Sequence, residues 1–540
     1  MNKVHTMVAK GVFEDHFHPS YQAYNYAGQL KSFNEYVQNE KVGIEACSYC
    51  HNMDDGFRSV MDDISMFPFI SNSPAFLNGD GEKLKEFVKK YVSKKCHEIL
   101  FEITNAKTVP SDDFAKLIRD ALSGNQMYTL DDRQSYALST IVDTVRDAIY
   151  YDQKKTIIIK GGAGTGKSII AVNALGQLNS PKKKSERVTT FYVTVNAAPK
   201  KTMFNGLKYG RAFKTDDLKE LFKYPTAFVN RPKNEVPCIM VDEAHTLFKW
   251  KGGVGLKSGV NLLKEIINTA RVAVFFIDDN QAVTTEDYAT IENIKALARE
   301  CHSKVVIGEE LELTSQYRVQ GGYNYMQTIK SFLGLSDEKV CFESNNSYDF
   351  QVFDDPNDMF NAIKEKDLES QIEQTTKENS LIPQPEKFNG HCRVVAGYTY
   401  EWVSDHTKRD GVNDVIISKK NFAKKWNMLY GSGVTAYSWV DDPQSIEEIG
   451  CIHTCQGVDL NYCGVIIGKD IVYRDGTIQF DKSMHPNTDR SGIRTASDEE
   501  AERLIKNTYY VLLTRGVLGT YVYCEDEALN EYLKTLKQVN

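Results

Sequence analysis

A glycine-rich segment ending in lysine and serine is the first group of residues whose types and spacing could do chemistry. It lies between a strand-like run, Thr156–Ile159, and a helical run from Ile169, and has the sequence Gly161-Gly-Ala-Gly164-Thr-Gly166-Lys167-Ser168. In that context the glycines let backbone N–H groups curl around phosphates at a helix N-terminus. The lysine would hold the β- and γ-phosphates and the serine a Mg²⁺ ion. The segment therefore predicts a site for ATP and Mg²⁺.

Two carboxylates at the end of a second apolar run fit the same chemistry. The segment Cys238-Ile-Met-Val-Asp242-Glu243 lies downstream, with Asp242 75 residues after Lys167. Asp242 is predicted to bind Mg²⁺ through water, and Glu243 to orient and deprotonate an attacking water. The alternative is a pair of surface acids after a strand, which the distance from the glycine-rich segment disfavours.

A third apolar run, Val274–Ile277, is followed by Asp278-Asp-Asn-Gln281. Ligands of α/β proteins lie at the carboxyl ends of the strands, so Gln281 is a candidate sensor of the γ-phosphate. An ordinary loop is an equally good interpretation of this segment alone.

The composition bounds the class of protein that carries these residues. The 540 residues predict about three domains, since domains have roughly 100–200 residues. The chain is 41% hydrophobic and 26% charged, which excludes a disordered protein. Its apolar runs are too short to cross a membrane, so no membrane partner is expected. The net charge of −8 excludes a strongly basic nucleic-acid coat but not a local basic channel.

The cysteines indicate a cellular compartment. Eleven are scattered without the spacing of a disulfide framework, and we find no secretory signal, so we expect reduced thiols in a cytoplasmic protein. The segment Cys47-Ser-Tyr-Cys50-His51 has the spacing of a haem attachment site, and with Cys451 and Cys455 it could complete a zinc site. Plain buried thiols are the preferred interpretation.

The hydropathy pattern organises the chain into two α/β halves and an N-terminal module. Short apolar strands separated by helices predict parallel sheets covered on both faces. The predicted domains are residues 1–122, 123–312 and 313–540. The polar stretch Glu369–Asn389 is predicted to be a surface loop. The strands expected in the two halves are Thr156–Ile159, Thr189–Val195, Cys238–Val241, Val272–Ile277, Phe350–Phe353, Arg393–Ala396, Gly464–Ile467 and Gly519–Tyr523.

The order of these motifs resembles that of superfamily 1 helicases, which implies two RecA-like P-loop domains. Leu130-Asp-Asp-Arg-Gln134 is similar to the helicase Q motif, whose glutamine contacts adenine. Leu313-Thr-Ser-Gln-Tyr-Arg318 resembles motif IV, Ile452-His-Thr454-Cys-Gln-Gly457-Val-Asp459 motif V, and Tyr510-Val-Leu-Leu-Thr-Arg515-Gly motif VI. The resemblance implies that Arg318 and Arg515 neutralise charge on the transferred phosphoryl group. It also implies that Gly457 and Asp459 contribute to the nucleotide site.

A closer resemblance, over roughly residues 17–535, is to a bacterial helicase family akin to the helicase domain of Schlafen proteins. It rests on Ile449–Gly468, Asn507–Gly516, Arg393–Tyr398 and Ser73–Asp80. That family usually has Glu at the position of Asp459 and Arg at that of Tyr510. The first difference implies a looser contact with the ribose; the second has no evident interpretation from the sequence.

Members of that family often begin with a PD-(D/E)XK nuclease, and the N-terminal module resembles the second half of one. His18-Pro19-Ser-Tyr-Gln22-Ala-Tyr-Asn-Tyr26 matches its Gln-x-x-x-Tyr helix, which we expect to pack on a strand at Gly43–Cys47. Glu14 and Asp15 lack the accompanying lysine, and so short a lead is not expected to build paired strands carrying two metal-binding carboxylates. We therefore expect half of a restriction-endonuclease fold without nuclease activity, either vestigial or continued upstream.

The motifs together predict an ATP-dependent helicase or translocase. Its partner would be single-stranded or duplex DNA, with RNA as an alternative, and family resemblance adds restriction or anti-phage defence and a partner effector or nuclease. A regulatory ATPase switch or a scaffold, without unwinding, is the second hypothesis. Superfamily 1 enzymes hold a strand with basic and aromatic side chains. The candidate contacts are Asn196, Lys200, Lys201 and Thr454, followed by Lys208, Arg211 and Trp402.

Overall fold

The computed structural model describes most of the chain. The described residues are 3–9, 12–34, 36–37, 40–92, 97–105, 130–179, 187–194, 221–250, 259–315, 322–343, 348–378, 391–404, 411–428, 439–440, 442–455, 458–489 and 491–538. They belong to two compact units, one within Met1–Ser111 and Gln126–Tyr136 and the other within Asp112–Asn125 and Ala137–Asn540.

The strands are β1 (Lys3–Ala9), β2 (Val12–Phe17), β3 (Ser48–Cys50), β4 (Ala75–Leu77), β5 (Lys155–Gly161), β6 (Thr190–Val193), β7 (Phe222–Lys223), β8 (Val236–Val241), β9 (Lys249–Trp250), β10 (Val260–Asn261), β11 (Ala270–Ile277), β12 (Lys304–Val306), β13 (Glu312–Leu313), β14 (Phe342–Glu343), β15 (Asp349–Val352), β16 (Arg393–Ala396), β17 (Val415–Ile417), β18 (Phe422–Lys424), β19 (Ile449–Gly450), β20 (Leu460–Ile467), β21 (Ile471–Arg474), β22 (Thr477–Phe480), β23 (Gly516–Cys524) and β24 (Lys537–Gln538).

The α-helices are α1 (Pro19–Phe33), α2 (Arg58–Met61), α3 (Gly81–Tyr91), α4 (His97–Asn105), α5 (Asp132–Tyr150), α6 (Lys167–Asn179), α7 (Leu262–Thr269), α8 (Ile291–Glu300), α9 (Gly322–Phe332), α10 (Pro356–Glu378), α11 (Ile452–Cys455), α12 (Asp498–Leu513) and α13 (Glu527–Thr535). Within the described ranges, no helix is both long enough and apolar enough to pass through a membrane.

The N-terminal unit is built around α1. Pro19 occupies the first turn, and Nδ1 of buried His18 caps the helix by accepting from the Ser20 N–H at 3.1 Å. The expected strand at Gly43–Cys47 was wrong: that segment has no regular structure, and strand β3 begins at Ser48. The Oγ atoms of Ser20 and Ser48 lie 3.3 Å apart and join α1 to that strand.

The short lead of the chain also differs from expectation. Strands β1 and β2 pair antiparallel, with Glu14 opposite Thr6 and Asp15 opposite His5. Because the two strands pair directly with each other, a segment of 17 residues is long enough to hold both.

The first sheet of the second unit places the predicted motifs side by side. Its strand order is β12-β5-β11-β8-β6-β7, with β13 also on β5, and every pairing is parallel. Strand β11 is buried along nearly its whole length, as its continuous apolar sequence predicts. Because β5, β11 and β8 are neighbours, the segments after Gly161, Ile277 and Val241 meet at one edge. We call this sheet and its helices the first lobe.

A second parallel sheet has the order β15-β23-β20-β16-β19. Its core includes Tyr325, Phe350, Val394, Val465 and Val522, all buried. We call it, with α9 to α13, the second lobe. The predicted α/β fold with two parallel sheets is confirmed, while the predicted boundaries after residues 122 and 312 stay predictions.

The predicted surface loop Glu369–Asn389 was wrong in its first part, because α10 continues to Glu378. The helix is anchored through buried Asp367, whose Oδ1 accepts from the Cys392 N–H at 2.7 Å and from Arg393 Nη1 at 3.0 Å. A polar sequence is as typical of a solvated helix face as of a loop, and the two prolines, Pro383 and Pro385, lie beyond the helix end.

Candidate nucleotide site

The phosphate loop joins β5 to α6 as the sequence predicts. Gly164 and Gly166 have φ of 78° and 86°, in the left-handed region where a side chain would be strained. Lys167 is buried, and its Nζ donates to the carbonyl oxygens of Gly161 at 2.8 Å and Gly162 at 2.9 Å. The ammonium group is therefore held against the loop that would surround the phosphates.

Ser168 and Asp242 lie together, although 74 residues separate them. Ser168 Oγ donates to Asp242 Oδ2 at 2.5 Å. Burial, and then the charge of Glu243, raise the pKa of Asp242, while hydrogen bonds from Ser168 and Tyr192 and the charge of Lys167 oppose that rise. Hydroxyl and carboxylate oxygens are the hard ligands that Mg²⁺ prefers, so this pair fits the predicted ion.

Glu243 adopts a left-handed backbone conformation with φ of 48°. Such a conformation in a residue other than glycine costs free energy and is typical of functional sites. The Glu243 N–H donates to Asp242 Oδ1 at 3.0 Å, which stabilises the turn. Glu243 Oε2 lies 3.5 Å from Nε2 of buried His245. The Glu243 carboxylate thus lies beside His245, while the Asp242 carboxylate contacts Ser168.

Gln281 lies in a short 3-10 turn, Asp279–Gln281, which follows β11. Its Nε2 donates to Asp278 Oδ2 at 2.9 Å, and Asp278 Oδ1 accepts from the Asn280 N–H at 3.1 Å. A Cβ atom on Gly162 would lie 3.9 Å from Asp278 Oδ2. The turn that carries Gln281 is thus held beside the phosphate loop.

Motif VI of the second lobe lies against the same loop. The Tyr510 hydroxyl would be 3.6 Å from a Cβ on Gly162, and Lys330 Nζ stands 6.0 Å from the Tyr510 ring centroid. Arg515 is buried, and its Nε donates to the Val511 carbonyl oxygen at 2.9 Å. Tyr510, which the sequence left without interpretation, is therefore a residue of the lobe contact at the phosphate loop.

Two other predicted residues have structural contacts of their own. Gln134 Oε1 accepts from the Asp131 N–H at 3.0 Å, and Asp131 Oδ1 accepts from the Gln134 N–H at 2.7 Å, which is a capping box at the start of α5. Thr454 is buried and its Oγ1 donates to the Cys451 carbonyl oxygen at 2.9 Å. Asp459, just before β20, is half-buried.

Several predicted positions fall outside the described residues. They are Arg318, Gly457, Asn196, Lys200, Lys201, Lys208 and Arg211. Trp402 is described and lies 5.9 Å, between ring centroids, from buried Trp426. Cys47 and Cys50 are half-buried free thiols whose pKa values are raised by burial.

Tyr192 is a site residue that the sequence analysis missed. It is buried in β6, next to β8, and its hydroxyl donates to Asp242 Oδ2 beside Ser168 Oγ. A tyrosine hydroxyl in a mostly buried strand was the available signal, since a buried hydroxyl group needs a partner.

A family model of the Schlafen group 3, DNA/RNA helicase domain matches residues 154–526, more than half of the chain. The chain belongs to this Schlafen group 3 helicase-domain family. The matched range contains the phosphate loop, Asp242, Glu243, Gln281 and motif VI. Gln134 and the whole N-terminal unit precede the Schlafen-type helicase region.

One curated relative and two solved structures are also similar to this chain. An uncharacterized protein of Saccharomyces cerevisiae, YPL245W, is 28% identical over 406 residues, which is 70% of this chain and 83% of the yeast protein. The arterivirus nonstructural protein 10 helicase is 12% identical with a TM-score of 0.32, over 74% of this chain and 64% of that chain. The Pif1 helicase from Bacteroides, solved with ADP-AlF3 and single-stranded DNA, is 12% identical with a TM-score of 0.24. The similarity covers 73% of this chain and 96% of the Pif1 chain. Both TM-scores are low, and neither likeness bears on activity.

Proposed function

We propose that this chain is an ATP-hydrolysing helicase or translocase of the superfamily 1 type that acts on nucleic acid. The observation that carries the proposal is the Ser168–Asp242 hydrogen bond of 2.5 Å, with Lys167 and Glu243 on the same two segments. An ammonium group, a hydroxyl group and two carboxylates thus lie on two segments at one sheet edge. That combination suits hydrolysis of a nucleoside triphosphate.

Each residue then has a distinct role. Lys167 binds the β- and γ-phosphates, and Ser168 and Asp242 would hold Mg²⁺, which supplies positive charge beside the phosphates when bound. Glu243 accepts the proton of the attacking water. Arg515, with Arg318 from the part outside the described residues, stabilises negative charge on the transferred group. Gly457 and Asp459 are proposed to contact the nucleotide, as the resemblance implies.

Two lobes that both contribute to one ATP site can convert hydrolysis into relative motion. Nucleic acid would lie along segments of both lobes, with Asn196, Lys200, Lys201 and Thr454 as proposed contacts. Burial of Thr454 makes it the weakest of these. A defence role, a partner effector and a cytoplasmic location are proposed from resemblance and composition. The lack of nuclease activity is likewise a proposal, which a cleavage assay with Mg²⁺ or Mn²⁺ tests.

The decisive measurement is the ATPase rate with and without single-stranded DNA, duplex DNA and RNA. We expect at least one nucleic acid to raise kcat, and Lys167→Ala to abolish turnover. An ATPase that no nucleic acid stimulates would favour the regulatory switch over the motor. A chain without any turnover would leave only the scaffold.

A further inference from the structure

Asn507 of α12 makes a bridge between the lobes that the motifs do not assign. Its Nδ2 donates to the carbonyl oxygen of Asp279 at 3.0 Å and to that of Ala282 at 2.8 Å. Asp279 is the first residue of the turn that ends in Gln281, and Ala282 directly follows that turn. Asn507 is only 1% exposed; its hydrogen bond to Ala282 is buried and the one to Asp279 is partly buried, so losing the pair is costly.

The direction of the amide is determined by its neighbours. Both nearby groups are carbonyl acceptors, so only the NH₂ end of the Asn507 side chain can satisfy them. Its Oδ1 is buried and makes no hydrogen bond to any described residue. An aspartate here would direct a carboxylate oxygen at two carbonyl oxygens.

The turn that Asn507 holds belongs to the nucleotide site. Gln281 is bonded to Asp278, and Asp278 lies beside Gly162 of the phosphate loop. The same helix, α12, brings Tyr510 to that loop three residues after Asn507, and its Val511 carbonyl accepts from Arg515. One helix therefore contacts the Gln281 turn, the phosphate loop and the candidate arginine.

We propose that Asn507 is a positioning residue that couples the Gln281 turn to motif VI. This inference rests on the proposed ATPase function. It adds the residue that transmits movement from one lobe to the other. When the lobes move relative to each other, the two hydrogen bonds carry the displacement of α12 to the turn of Gln281. Conversely, a shift of Gln281 toward a γ-phosphate is passed to the helix that precedes Arg515.

The lobe contact does not depend on Asn507 alone. The Thr285 N–H donates to the Ser491 carbonyl oxygen at 2.9 Å, and Thr285 Oγ1 donates to it at 3.3 Å. Variants at position 507 should therefore keep the lobes in contact while losing the link to the Gln281 turn. This makes the inference separable from simple loss of folding.

The test compares Asn507→Asp and Asn507→Ala with Asn530→Asp in the full chain. Asn530 is a matched control, because it is buried in the second lobe and its Nδ2 donates to the Phe353 carbonyl oxygen at 3.0 Å within that lobe. Two quantities are measured: hydrogen exchange of the backbone amides of residues 279–283, and the steady-state ATPase with the stimulating nucleic acid.

We expect both Asn507 variants to raise exchange of residues 279–283 and to lower kcat about tenfold or more, with KM for ATP changed less than about threefold. Asn530→Asp should change neither quantity. Faster exchange with wild-type kcat in both Asn507 variants would overturn the inference.

If the proposed function is wrong, the wild type itself would lack ATP turnover, which distinguishes that result from failure of the inference about Asn507. The inference is then decided by exchange alone, with a non-hydrolysable ATP analogue as the probe. The analogue should protect residues 279–283 in the wild type and not in Asn507→Asp. Equal protection in the two proteins, or none in the wild type, would contradict the coupling.

Discussion

Tyr192 donates its hydroxyl hydrogen bond to the carboxylate oxygen of Asp242 that also accepts from Ser168. The tyrosine comes from β6 and the aspartate follows β8, the neighbouring parallel strand. Burial is the largest cause that raises the pKa of Tyr192 well above its ordinary value, so the hydroxyl remains a donor at all physiological pH values. Tyr192 therefore helps to fix the orientation of the Asp242 carboxylate.

Removing that donor should weaken binding of Mg²⁺ at the proposed nucleotide site. We predict that Tyr192→Phe raises the Mg²⁺ concentration needed for half-maximal nucleotide binding about tenfold, because an outer hydrogen bond to a metal ligand typically contributes that much. Titration of Mg²⁺ into the protein with a fluorescent ADP measures it. Tyr400→Phe is the control, since Tyr400 also donates to a carboxylate, that of Glu525, at 2.8 Å but in the second lobe. An unchanged Mg²⁺ requirement would remove Tyr192 from the site.

Glu243 should be required for hydrolysis but not for ATP binding. In Glu243→Gln the amide cannot accept a proton from water, so kcat should fall by roughly a hundredfold or more while the Kd for ATP stays near that of the wild type. Single-turnover hydrolysis and equilibrium binding separate the two effects. Lys167→Ala serves as the contrasting variant, because it should weaken binding itself. Wild-type turnover in Glu243→Gln would assign the base elsewhere.

The arginines should act on the chemical step. We predict that Arg318→Ala and Arg515→Lys lower kcat more than they raise the Kd for ATP, since guanidinium groups matter most where charge develops. Arg393→Lys controls for loss of a buried guanidinium in the second lobe, where Arg393 Nε donates to Ser445 Oγ at 2.7 Å. Equal losses in kcat for Arg393→Lys and Arg515→Lys would point to a structural role for Arg515.

A buried histidine should make stability depend on pH. His485 is 1% exposed and lies between Asp470, with Nε2 3.1 Å from its Oδ2, and Asp489, with Nδ1 2.9 Å from its Oδ2. Burial lowers the pKa of His485, but the hydrogen bonds to Asp470 and Asp489 outweigh it and raise the pKa to about 9, from an ordinary 6.5.

A folded-state pKa above the unfolded value stabilises the protein below pH 6.5, and that contribution is lost as the pH rises through 9. The free energy involved is of the order of 3 kcal/mol. We predict that the free energy of unfolding of the wild type falls between these pH values, and that His485→Gln flattens the decline. Urea denaturation at a series of pH values measures the difference. Parallel curves for the two proteins would show that His485 is neutral in the fold.

The two roles of Gln134 can be separated by one substitution. Gln134→Ala should lower stability by about 1 kcal/mol through loss of the capping box, and Gln134→Glu should keep the cap, because either side chain can fill that position. Thermal unfolding measures this, with Gln153→Ala as a control outside the cap. If the glutamine also reads adenine, as the resemblance implies, Gln134→Glu should lose the preference for ATP over GTP while keeping its Tm.

The phosphate loop could be predicted from the sequence because its physics is local. A strand, glycines that can adopt positive φ at Gly164 and Gly166, and a helix beginning at Lys167 are adjacent in the chain. Likewise, the end of each apolar run predicts the end of a strand, so the polar residues that follow it, Asp242 and Gln281 among them, are expected at strand ends. The interpretation of Glu369–Glu378 as loop failed because a polar run does not distinguish a solvated helix from a loop.

Contacts between distant residues were decided only by the tertiary structure. Strand order places β11 between β5 and β8, against their order in the chain, and so brings the three polar segments together. Tyr192 reaches Asp242 across 50 residues, and Asn507 reaches Ala282 across 225. No periodicity encodes such pairs, because they depend on which strands are neighbours and how the lobes pack. The amino-acid sequence by itself determined the chemical groups and the strands that end beside them; the arrangement of the sheets and lobes determined which groups share a hydrogen bond.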